Sequence, residues 1–490
     1  MRRYYWYFTG YIKKHGWRML AAVLVGIGAF SIIIPILFNP AIVKPKQFIG
    51  LIGDYSLNTL PDDIQEELSI GLTTIDTNGG PQPGLSERWT LEQENQMYRF
   101  FLKKDVRWQD GTEITPEDIL YNFPDVQIIT TPNDVIFKLP TAYAPFPTLV
   151  AQPIFKSGVL KGRFGRDRNS LVGIGANWIS DYQLNGTTLR ELSVESKEGV
   201  KVYRFYLTED EAIRAFKRGE VDVVPDLNRV FDVMNWPTTE VTSQVDYWNY
   251  VAVYFNLRKP ELTENVRQAL SYALTKRQDD QRAIGPISPN SWAFLPGGKT
   301  YDKDWERGAG LLVGELPGTP LAFSLTTTSV HLEMAEKIKQ ELEEFGKLAV
   351  ETCQAEKTGD EAAFCSNLNI TITIRVQNFP DLSDYDLLLI GTPIEPDPDQ
   401  YSLWHSGQPT NFTGYKNTRI DNLLERGRQV SDQAERKQIY QEFQQFLQED
   451  PPAIFLEYLT KYQVRRKNPF QSMITVFTQT ISDSKPAPGE

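Results

Sequence analysis

A run of residues without any formal charge, Leu20–Phe38, constrains this chain more than any other feature. A helix rises about 1.5 Å per residue, so the run nearly matches a hydrocarbon core of about 30 Å. The charged residues before it are all basic, and no acidic residue occurs before Asp54. Because positive flanks stay on the cytoplasmic side, the pattern predicts a transmembrane anchor over 20–38, with residues 1–19 in the cytoplasm.

Three alternatives to an anchor fit this run less well. A cleaved signal peptide has a shorter apolar core and a small-x-small cleavage site, which residues 37–40 do not offer. A lipoprotein would need a cysteine just after the run, and none is there. A buried core helix is seldom so uniformly apolar. We therefore expect a single-pass protein of the cell membrane, with a linker over 39–47 and an extracytoplasmic globular part.

Net charge and chain length limit the possible partners and the domain organisation of that globular part. Every charged residue before Asp54 is basic, yet the whole chain carries a net charge of −12, so the remainder is strongly acidic. Because nucleic-acid binding requires a basic surface, this balance argues against nucleic acid as a partner. A chain of 490 residues exceeds what one hydrophobic core usually organises, which predicts two or more lobes.

Cys353 and Cys365 are the only cysteines, and they lie within a polar stretch. In an oxidising compartment they could close a small loop, which is the interpretation we favour. The alternative is a pair of unpaired thiols in a flexible insertion. A metal site is disfavoured because no histidine is nearby.

The predicted extracytoplasmic part offers little catalytic chemistry. His331 and His405 are its only histidines, and HExxH, Gly-x-Ser-x-Gly and Walker-type motifs are missing. Asp397 and Asp399 could serve a glycosidase, but paired acids in an acidic chain are more often surface residues. His405, beside Trp404, is interpreted as a structural or cleft-rim residue rather than a metal ligand. We expect no enzyme activity, no cofactor and no metal.

Apolar periodicity predicts strands and helices that alternate along the chain, which favours an α/β architecture. Predicted strands cover 48–51, 98–102, 135–139, 221–224, 250–256, 385–390 and 453–458. Predicted helices cover 60–74, 115–123, 209–218, 264–274, 329–345 and 433–448. Gly219 follows the third of these helices and is expected to end it. The polar, Pro-rich tail over 483–490 is expected to fray.

Several segments, in order, resemble family 5 of the bacterial extracellular solute-binding proteins. Residues 83–89 (PGLSERW), 98–102 and 106–118 (VRWQDGTEITPED) are similar to the opening signature of the family. The later similar blocks are 212–223, 253–274, 285–293, 384–389 with 396–399, 411–424 and 431–440. Each block alone is weak, but the ordered set is specific and spans nearly the whole predicted ectodomain.

The resemblance implies a two-lobed periplasmic-binding-protein-like type II fold with a small inserted subdomain. Lobe I would cover 48–248 and include the subdomain at about 76–165. Lobe II would cover 249–455, and residues 456–490 would return to lobe I and form the tail. Two crossings of the chain, near 246–256 and 452–463, would act as a hinge that lets the lobes close by rotation.

The same resemblance implies a function. The chain would be a monomeric receptor that captures peptides or similar extended polar solutes and delivers them to the permease subunits of an ABC importer. An extended peptide would be held mainly through its backbone, like an added strand. The family usually places an acid for the ligand's amino terminus at the position of Ile394, whereas Glu395 lies one residue further on, so binding of a free amine is in doubt.

Five residues are the candidates for ligand contact, because they flank the expected crossing or occupy the expected ligand loop. They are Trp248, Asn249, Tyr250, Glu395 and Trp404. Core packing is the alternative for each, since tryptophan and tyrosine are largely buried wherever they occur. Two other functions stay open: a membrane-anchored sensor or assembly protein with the same fold, and a hydrolase that would depend on Glu395 or Asp397.

Overall fold

The computed structural model describes residues 14–18, 21–28, 44–92, 95–161 and 167–467. Residues 14–18 and 21–28 are helical. Most of the predicted anchor over 20–38, most of the linker and the whole of the tail over 483–490 lie outside the described residues. Within those ranges, no helix has the length and apolar character needed to cross a membrane.

The described chain divides into two compact units. Unit 1 contains residues up to Leu60 together with 159–170 and 176–224, and unit 2 contains 61–158, 171–175 and 225 onward. Unit 2 therefore groups the predicted subdomain at about 76–165 mostly with the later part of the chain, whereas the prediction places it in lobe I. The lobe boundaries at 48–248, 249–455 and 456–490 stay predictions.

Unit 1 is built on a mixed sheet, and strands are numbered here along the whole chain. Its strands are β1 (Lys46–Ile52), β10 (Trp178–Asn185), β11 (Thr188–Glu195) and β12 (Val200–Tyr206). β1 and β12 are parallel, whereas β10, β11 and β12 are antiparallel neighbours. Three further strands, β8 (Lys156–Leu160), β9 (Arg168–Val172) and β13 (Val223–Leu227), lie where the chain passes from one unit to the other.

The helix of unit 1 follows its local sequence closely. It covers Glu209–Arg218, as predicted, and the Thr208 hydroxyl accepts a hydrogen bond of 3.3 Å from the Glu211 amide at its first turn. Gly219 ends it with φ of 78°, a left-handed conformation that glycine adopts without the steric cost of a side chain. Acidic residues at the start and basic residues at the end complement the helix dipole.

Unit 2 contributes five neighbouring strands to a mixed sheet. They are β14 (Thr239–Phe255), β15 (Ala322–Thr327), β16 (Thr371–Val376), β17 (Leu387–Pro393) and β18 (Ala453–Arg466). Their order in the sheet is β18-β14-β17-β15-β16. β15, β16 and β17 are mutually parallel, whereas β14 is antiparallel to both β17 and β18.

Helices cover both faces of this sheet. In β14, Val251 and Val253 belong to one hydrophobic core, whereas Ala252 and Tyr254 belong to the other, as the two-residue period of a strand requires. From Asp62 onward we number the helices as α1 (Asp62–Leu68), α2 (Phe146–Leu149), α3 (Glu209–Arg218), α4 (Glu264–Ala273), α5 (Trp305–Glu315), α6 (Leu332–Glu356), α7 (Tyr401–Trp404), α8 (Thr418–Gln429) and α9 (Gln433–Glu449). The first core draws on α4, α5 and α6, and the second on α8 and α9.

Residues 72–154 carry a third core on a four-stranded antiparallel sheet. The strands of this part are β2 (Thr73–Ile75), β3 (Pro81–Pro83), β4 (Ser86–Glu92), β5 (Met97–Leu102), β6 (Gln127–Thr130) and β7 (Asp134–Lys138). The four-stranded sheet has the order β4-β5-β7-β6. The strands predicted at 98–102 and 135–139 are thereby confirmed.

Two predicted helices are shorter than expected. The one predicted over 60–74 covers only Asp62–Leu68, and Gly71 beyond it packs so closely that a Cβ atom there would lie 2.5 Å from the backbone of Ala151. The one predicted over 115–123 is a single 3-10 turn, Pro116–Asp118, in which the Asp118 carboxylate accepts a 2.8 Å hydrogen bond from the Thr115 amide. Both segments leave the helical conformation at the next residue, since Ser69 and Ile119 have extended backbones.

The two cysteines form a disulfide, Cys353–Cys365, with the sulfur atoms 2.01 Å apart. It joins the last turn of α6 to the 3-10 helix Gly359–Leu368. Both residues are fully buried, so the segment is part of the first core of unit 2 rather than a loose insertion.

Candidate functional site

An irregularity in β14 exposes two of the candidate residues. Asp246 pairs with Leu459 of β18 and Tyr250 with Tyr458, so residues 247–249 form a bulge without ladder partners in β18. The Asp246 carboxylate fixes the bulge, because it accepts hydrogen bonds from the Trp248 amide at 3.0 Å and from Asn249 Nδ2 at 2.8 Å. A bulge of this kind redirects side chains at the edge of a functional site.

The loop over 394–399 follows β17 and lies against this bulge. Asn249 and Pro393 are partners in the β14–β17 ladder, and the Ile394 amide donates a 2.7 Å hydrogen bond to the Trp248 carbonyl. The bulge in the middle of β14 and the 394–399 loop at the end of β17 therefore lie side by side and form one surface.

A tight turn over 76–80 packs onto the same surface. Gly79 has φ of +79°, and a Cβ atom there would lie 2.3 Å from the Pro396 carbonyl oxygen and 3.2 Å from the Trp248 ring. Only glycine satisfies both the conformation and the space. The Asp76 carboxylate shapes the turn by accepting hydrogen bonds of 2.8 Å from the amides of Asn78 and Gly80.

Asp397 anchors the 394–399 loop from inside. Its side chain is buried, and the Arg436 guanidinium of α9 donates two hydrogen bonds to its carboxylate, at 2.7 and 3.0 Å. Arg436 Nε donates a third, to the Gly427 carbonyl at 2.9 Å. A buried carboxylate is tolerated only when it is paired in this way. The expectation that Asp397 is a surface residue is therefore wrong.

Asp399 is held by a second arginine. Arg428 Nε donates a 2.8 Å hydrogen bond to its Oδ2, and the Arg428 guanidinium stacks on the Tyr401 ring at 3.9 Å. Burial raises the pKa of the Asp399 carboxyl, and Arg428 opposes that shift. Asp399 is therefore also a structural ion-pair member and not a surface acid, so the two carboxylates do not present a free acid and base to solvent.

Two of the five candidates lie in the hydrophobic core. Tyr250 and Trp404 are 1% and 0% exposed and belong to the second core of unit 2. The Tyr250 hydroxyl lies 2.8 Å from that of Tyr254, and Trp404 Nε1 donates to Gln400 Oε1 at 3.2 Å. Their polar atoms are satisfied internally, so the burial favours core packing, which was the alternative to ligand contact for these residues.

The other three candidates reach the surface. Trp248 and Asn249 are partly exposed in the bulge, and Glu395 is exposed in the 394–399 loop. Ile394 is only 6% exposed, whereas its neighbour Glu395 is exposed, so the two side chains face opposite ways. The sequence predicts this difference, because a shift of one residue turns a side chain to the other face. The structure thus brings Trp248, Asn249 and Glu395 together on one surface.

His405 has a structural environment. Its Nε2 lies 3.1 Å from Glu425 Oε1, its Nδ1 accepts a hydrogen bond from the Gly407 amide at 3.0 Å, and its ring stacks on Tyr401 at 4.2 Å. Among the described residues no group of three or more His, Cys, Asp or Glu could hold a metal ion.

Sequence reasoning missed four residues that position this surface: Asp76, Gly79, Arg428 and Arg436. The Gly79-Gly80 pair is visible as a turn signal. The two arginines carry no such signal, because Arg436 lies 39 residues from the aspartate that it pairs with. Taken together, the surface offers the aromatic ring of Trp248, the amide of Asn249 and the carboxylate of Glu395, which suit binding rather than bond cleavage.

Comparisons with known proteins agree with this geometry. The family model described as "Bacterial extracellular solute-binding proteins, family 5 Middle" matches residues 80–414. The oligopeptide-binding protein AppA of Bacillus subtilis is 22% identical over 512 residues, which cover 87% of this chain and 89% of AppA.

Two solved structures show the likeness of the fold. NikZ of Campylobacter jejuni, in complex with Ni(L-His), has a TM-score of 0.64 at 21% identity, with 86% of this chain and 94% of NikZ covered. AppA of Bacillus subtilis, in complex with a nonapeptide, has a TM-score of 0.61 at 18% identity, with 87% of this chain and 95% of AppA covered. The two-lobed α/β fold of periplasmic binding proteins is thereby confirmed.

Proposed function

This chain belongs to family 5 of the bacterial extracellular solute-binding proteins, and we propose that it captures peptides or similar extended polar solutes for an ABC importer. The observation that carries the proposal is the match of the family across residues 80–414. The proteins of this family are binding receptors and not enzymes. AppA and other curated relatives, among them the dipeptide-binding protein of Escherichia coli, are peptide-binding proteins by name, which supports a peptide as the ligand.

In the proposed mode of binding, the ligand lies along the bulge and the 394–399 loop. Trp248 contributes an apolar face, Asn249 an amide, and Glu395 a negative charge for a cationic group of the ligand. Main-chain hydrogen bonds to an extended peptide supply affinity without dependence on side-chain identity. Because Ile394 is buried at the position where the family usually has an acid, we propose that Glu395 is the carboxylate available to the ligand in this loop.

Thermal unfolding of the full chain in detergent, with and without pools of short peptides, tests the proposal. A ligand that binds only the folded protein stabilises it by about 2.7 kcal/mol at a hundredfold excess over its Kd, and the midpoint rises accordingly. Glu395→Gln should reduce the rise for peptides with a free amino terminus. Absence of any rise with peptide pools and with cell extract would contradict the proposed function.

We further propose that the anchor over 20–38 retains the protein in the cell membrane as a monomer next to its permease. The described helical residues 21–28 support this, because Val23, Leu24 and Val25 are 58%, 60% and 72% exposed and need an apolar environment. Fractionation of cells after an alkaline wash tests the anchor, and co-purification of permease subunits from intact membranes tests the partner. Recovery of the chain in the alkaline wash would contradict the proposed membrane anchor. Purification from intact membranes without permease subunits would favour the alternative function of a membrane-anchored sensor.

A further inference from the structure

The carboxyl ends of three parallel strands of unit 2 lie at one edge of the sheet. Thr327 at the end of β15 is the Cα partner of Val376 at the end of β16 and of Leu389 in β17. β17 continues past that level to Pro393, about 13 Å further at 3.3 Å per residue, and leads into the 394–399 loop. In open α/β sheets, ligands bind outside the carboxyl ends of the strands.

Exposed apolar side chains are concentrated where β15 and β16 reach this edge. We call them the apolar rim, and they are Val330, Leu332, Val376, Phe379 and Leu382, with exposures of 73%, 38%, 47%, 94% and 43%. Single exposed apolar residues need no explanation, but a group of them at one edge, with an aromatic ring almost fully in solvent, marks an interaction surface.

The turn that carries Phe379 is fastened by its own hydrogen bonds. The Gln377 amide donates to the Thr327 carbonyl at 2.9 Å, and Gln377 Oε1 accepts from the Asp381 amide at 3.1 Å. Asp381 Oδ1 accepts from the Ser383 amide at 2.9 Å, and Arg375 pairs with Asp384 at 2.8 Å. The ring is therefore presented by an ordered turn, which reduces the conformational entropy lost on binding.

The apolar rim lies beside β17, the strand that leads to the candidate site. His331, between Val330 and Leu332, places its Nε2 3.6 Å from the Cβ position at Gly391 of β17. Burial lowers the pKa of His331, so it adds no charge to this junction near neutral pH. Two strand spacings separate β16 from β17, which is about 10 Å. An extended ligand on the 394–399 loop can therefore reach the rim.

We propose that the apolar rim binds bulky apolar side chains of the ligand, with Phe379 as its principal contact. The inference rests on the proposed function and names the ligand class: extended peptides with apolar side chains. About 13 Å along the strands and about 10 Å across them separate the rim from the 394–399 loop by about 16 Å, so a peptide of about five residues spans them and a dipeptide does not.

Calorimetric titration of the full chain in detergent tests this inference. Two pentapeptides that differ only in leucine or serine at the two C-terminal positions, and the matching dipeptides, are the probes. The leucine pentapeptide should bind about tenfold more tightly than the serine one, because burial of one apolar side chain accounts for that factor. The dipeptides should show no such preference.

Phe379→Ala should abolish the preference without weakening the serine pentapeptide. Leu120→Ala is the matched control, because Leu120 is 82% exposed and lies outside the apolar rim. The inference would be overturned if the preference for the leucine pentapeptide survived Phe379→Ala, or if the unmodified protein bound both pentapeptides with equal affinity. Either result would leave the proposed function standing and would point to a protein partner on the apolar rim. Failure of every peptide to bind would contradict both the inference and the proposed function.

Discussion

The 394–399 loop and the turn over 377–384 follow two parallel strands of one sheet, yet they are fastened in opposite ways. The first is tied to distant parts of the chain, through Arg436, Arg428 and Gly79. The second is tied to itself and to the adjacent strand end, with Phe379 left in solvent. Long-range contacts make the 394–399 loop part of the core. The turn over 377–384 is held by local hydrogen bonds, so its exposed side chains can be substituted at little cost in stability.

The largest expected effect comes from the buried ion pair. Arg436→Met should lower the free energy of unfolding by about 3–5 kcal/mol, because Asp397 would stay buried without a partner. Urea denaturation measures this change. The double variant Asp397→Leu with Arg436→Met should recover much of the loss, since it removes both charges. A cost below about 1 kcal/mol for Arg436→Met would show that the loop is not held from inside.

The next effect concerns the turn at Gly79. Gly79→Ala should cost more than about 2 kcal/mol, because the new Cβ would meet the Pro396 carbonyl and the backbone would be strained. Gly111→Ala is the matched control: Gly111 has φ of +87°, but nothing lies within 4 Å of its Cβ position, so it reports the strain alone at about 1 kcal/mol. Equal costs for the two variants would mean that the contact with Pro396 contributes nothing.

The pH dependence of stability should have opposite signs in the two regions. Burial raises the pKa of Asp399, so in the folded protein it holds its proton more tightly than in the unfolded chain. Its contribution to stability is therefore present below the unfolded pKa and is lost as the pH rises through the folded pKa. Relative to Asp399→Asn, the unmodified protein should gain stability as the pH falls from neutral.

Asp381 is the counterpart in the exposed turn. Hydrogen bonds from Ser383 lower the pKa of Asp381, so its contribution is present above the unfolded pKa and is lost as the pH falls through the folded pKa. Relative to Asp381→Asn, the unmodified protein should lose stability on acidification. Unfolding midpoints between neutral pH and pH of about 3.5 measure both differences, and slopes of the same sign would contradict the comparison.

The smallest effect is expected at the ion pair between Arg375 and Asp384, whose side chains are 34% and 73% exposed. Arg375→Met should lower the free energy of unfolding by about 0.5 kcal/mol, because exposed pairs are screened by solvent. High salt should reduce the difference further. If Arg375→Met lowered the free energy of unfolding as much as Arg436→Met, the two regions would not differ in how strongly their ion pairs stabilise the fold.

The parts of the fold that depend on local sequence could be predicted. Helix α3 begins and ends at the predicted residues because its cap and its terminal Gly219 are local signals. α9 and the last part of β14, from Tyr250 to Phe255, follow from apolar periodicity in the same way, whereas the earlier part of β14 from Thr239 was not predicted. The helix predicted over 60–74 is confirmed only as far as Leu68, and the close packing of Gly71 against the backbone of Ala151 beyond it is a contact that no local pattern records.

The candidate site could be predicted only in part. Trp248 and Asn249 flank the crossing that the family resemblance implies, Glu395 lies in the ligand loop that it implies, and the structure puts all three on one surface. Tyr250 and Trp404 were chosen on the same grounds, but both are buried in the hydrophobic core. The alternation of side chains along a strand and the packing of helices decide whether an aromatic ring points into the core or to solvent. The pairing of Asp397 with Arg436 depends on packing between the 394–399 loop and α9, which single-sequence reasoning does not reach.

The central claim is that this protein binds an extended solute and leaves it chemically intact. The most direct test is to incubate the purified full chain with a peptide pool, separate the bound fraction, and analyse the released molecules by mass spectrometry. We expect intact peptides in one-to-one amount with the protein, enriched in sequences with apolar side chains. Released cleavage products, or a bound fraction without any peptide, would contradict the claim.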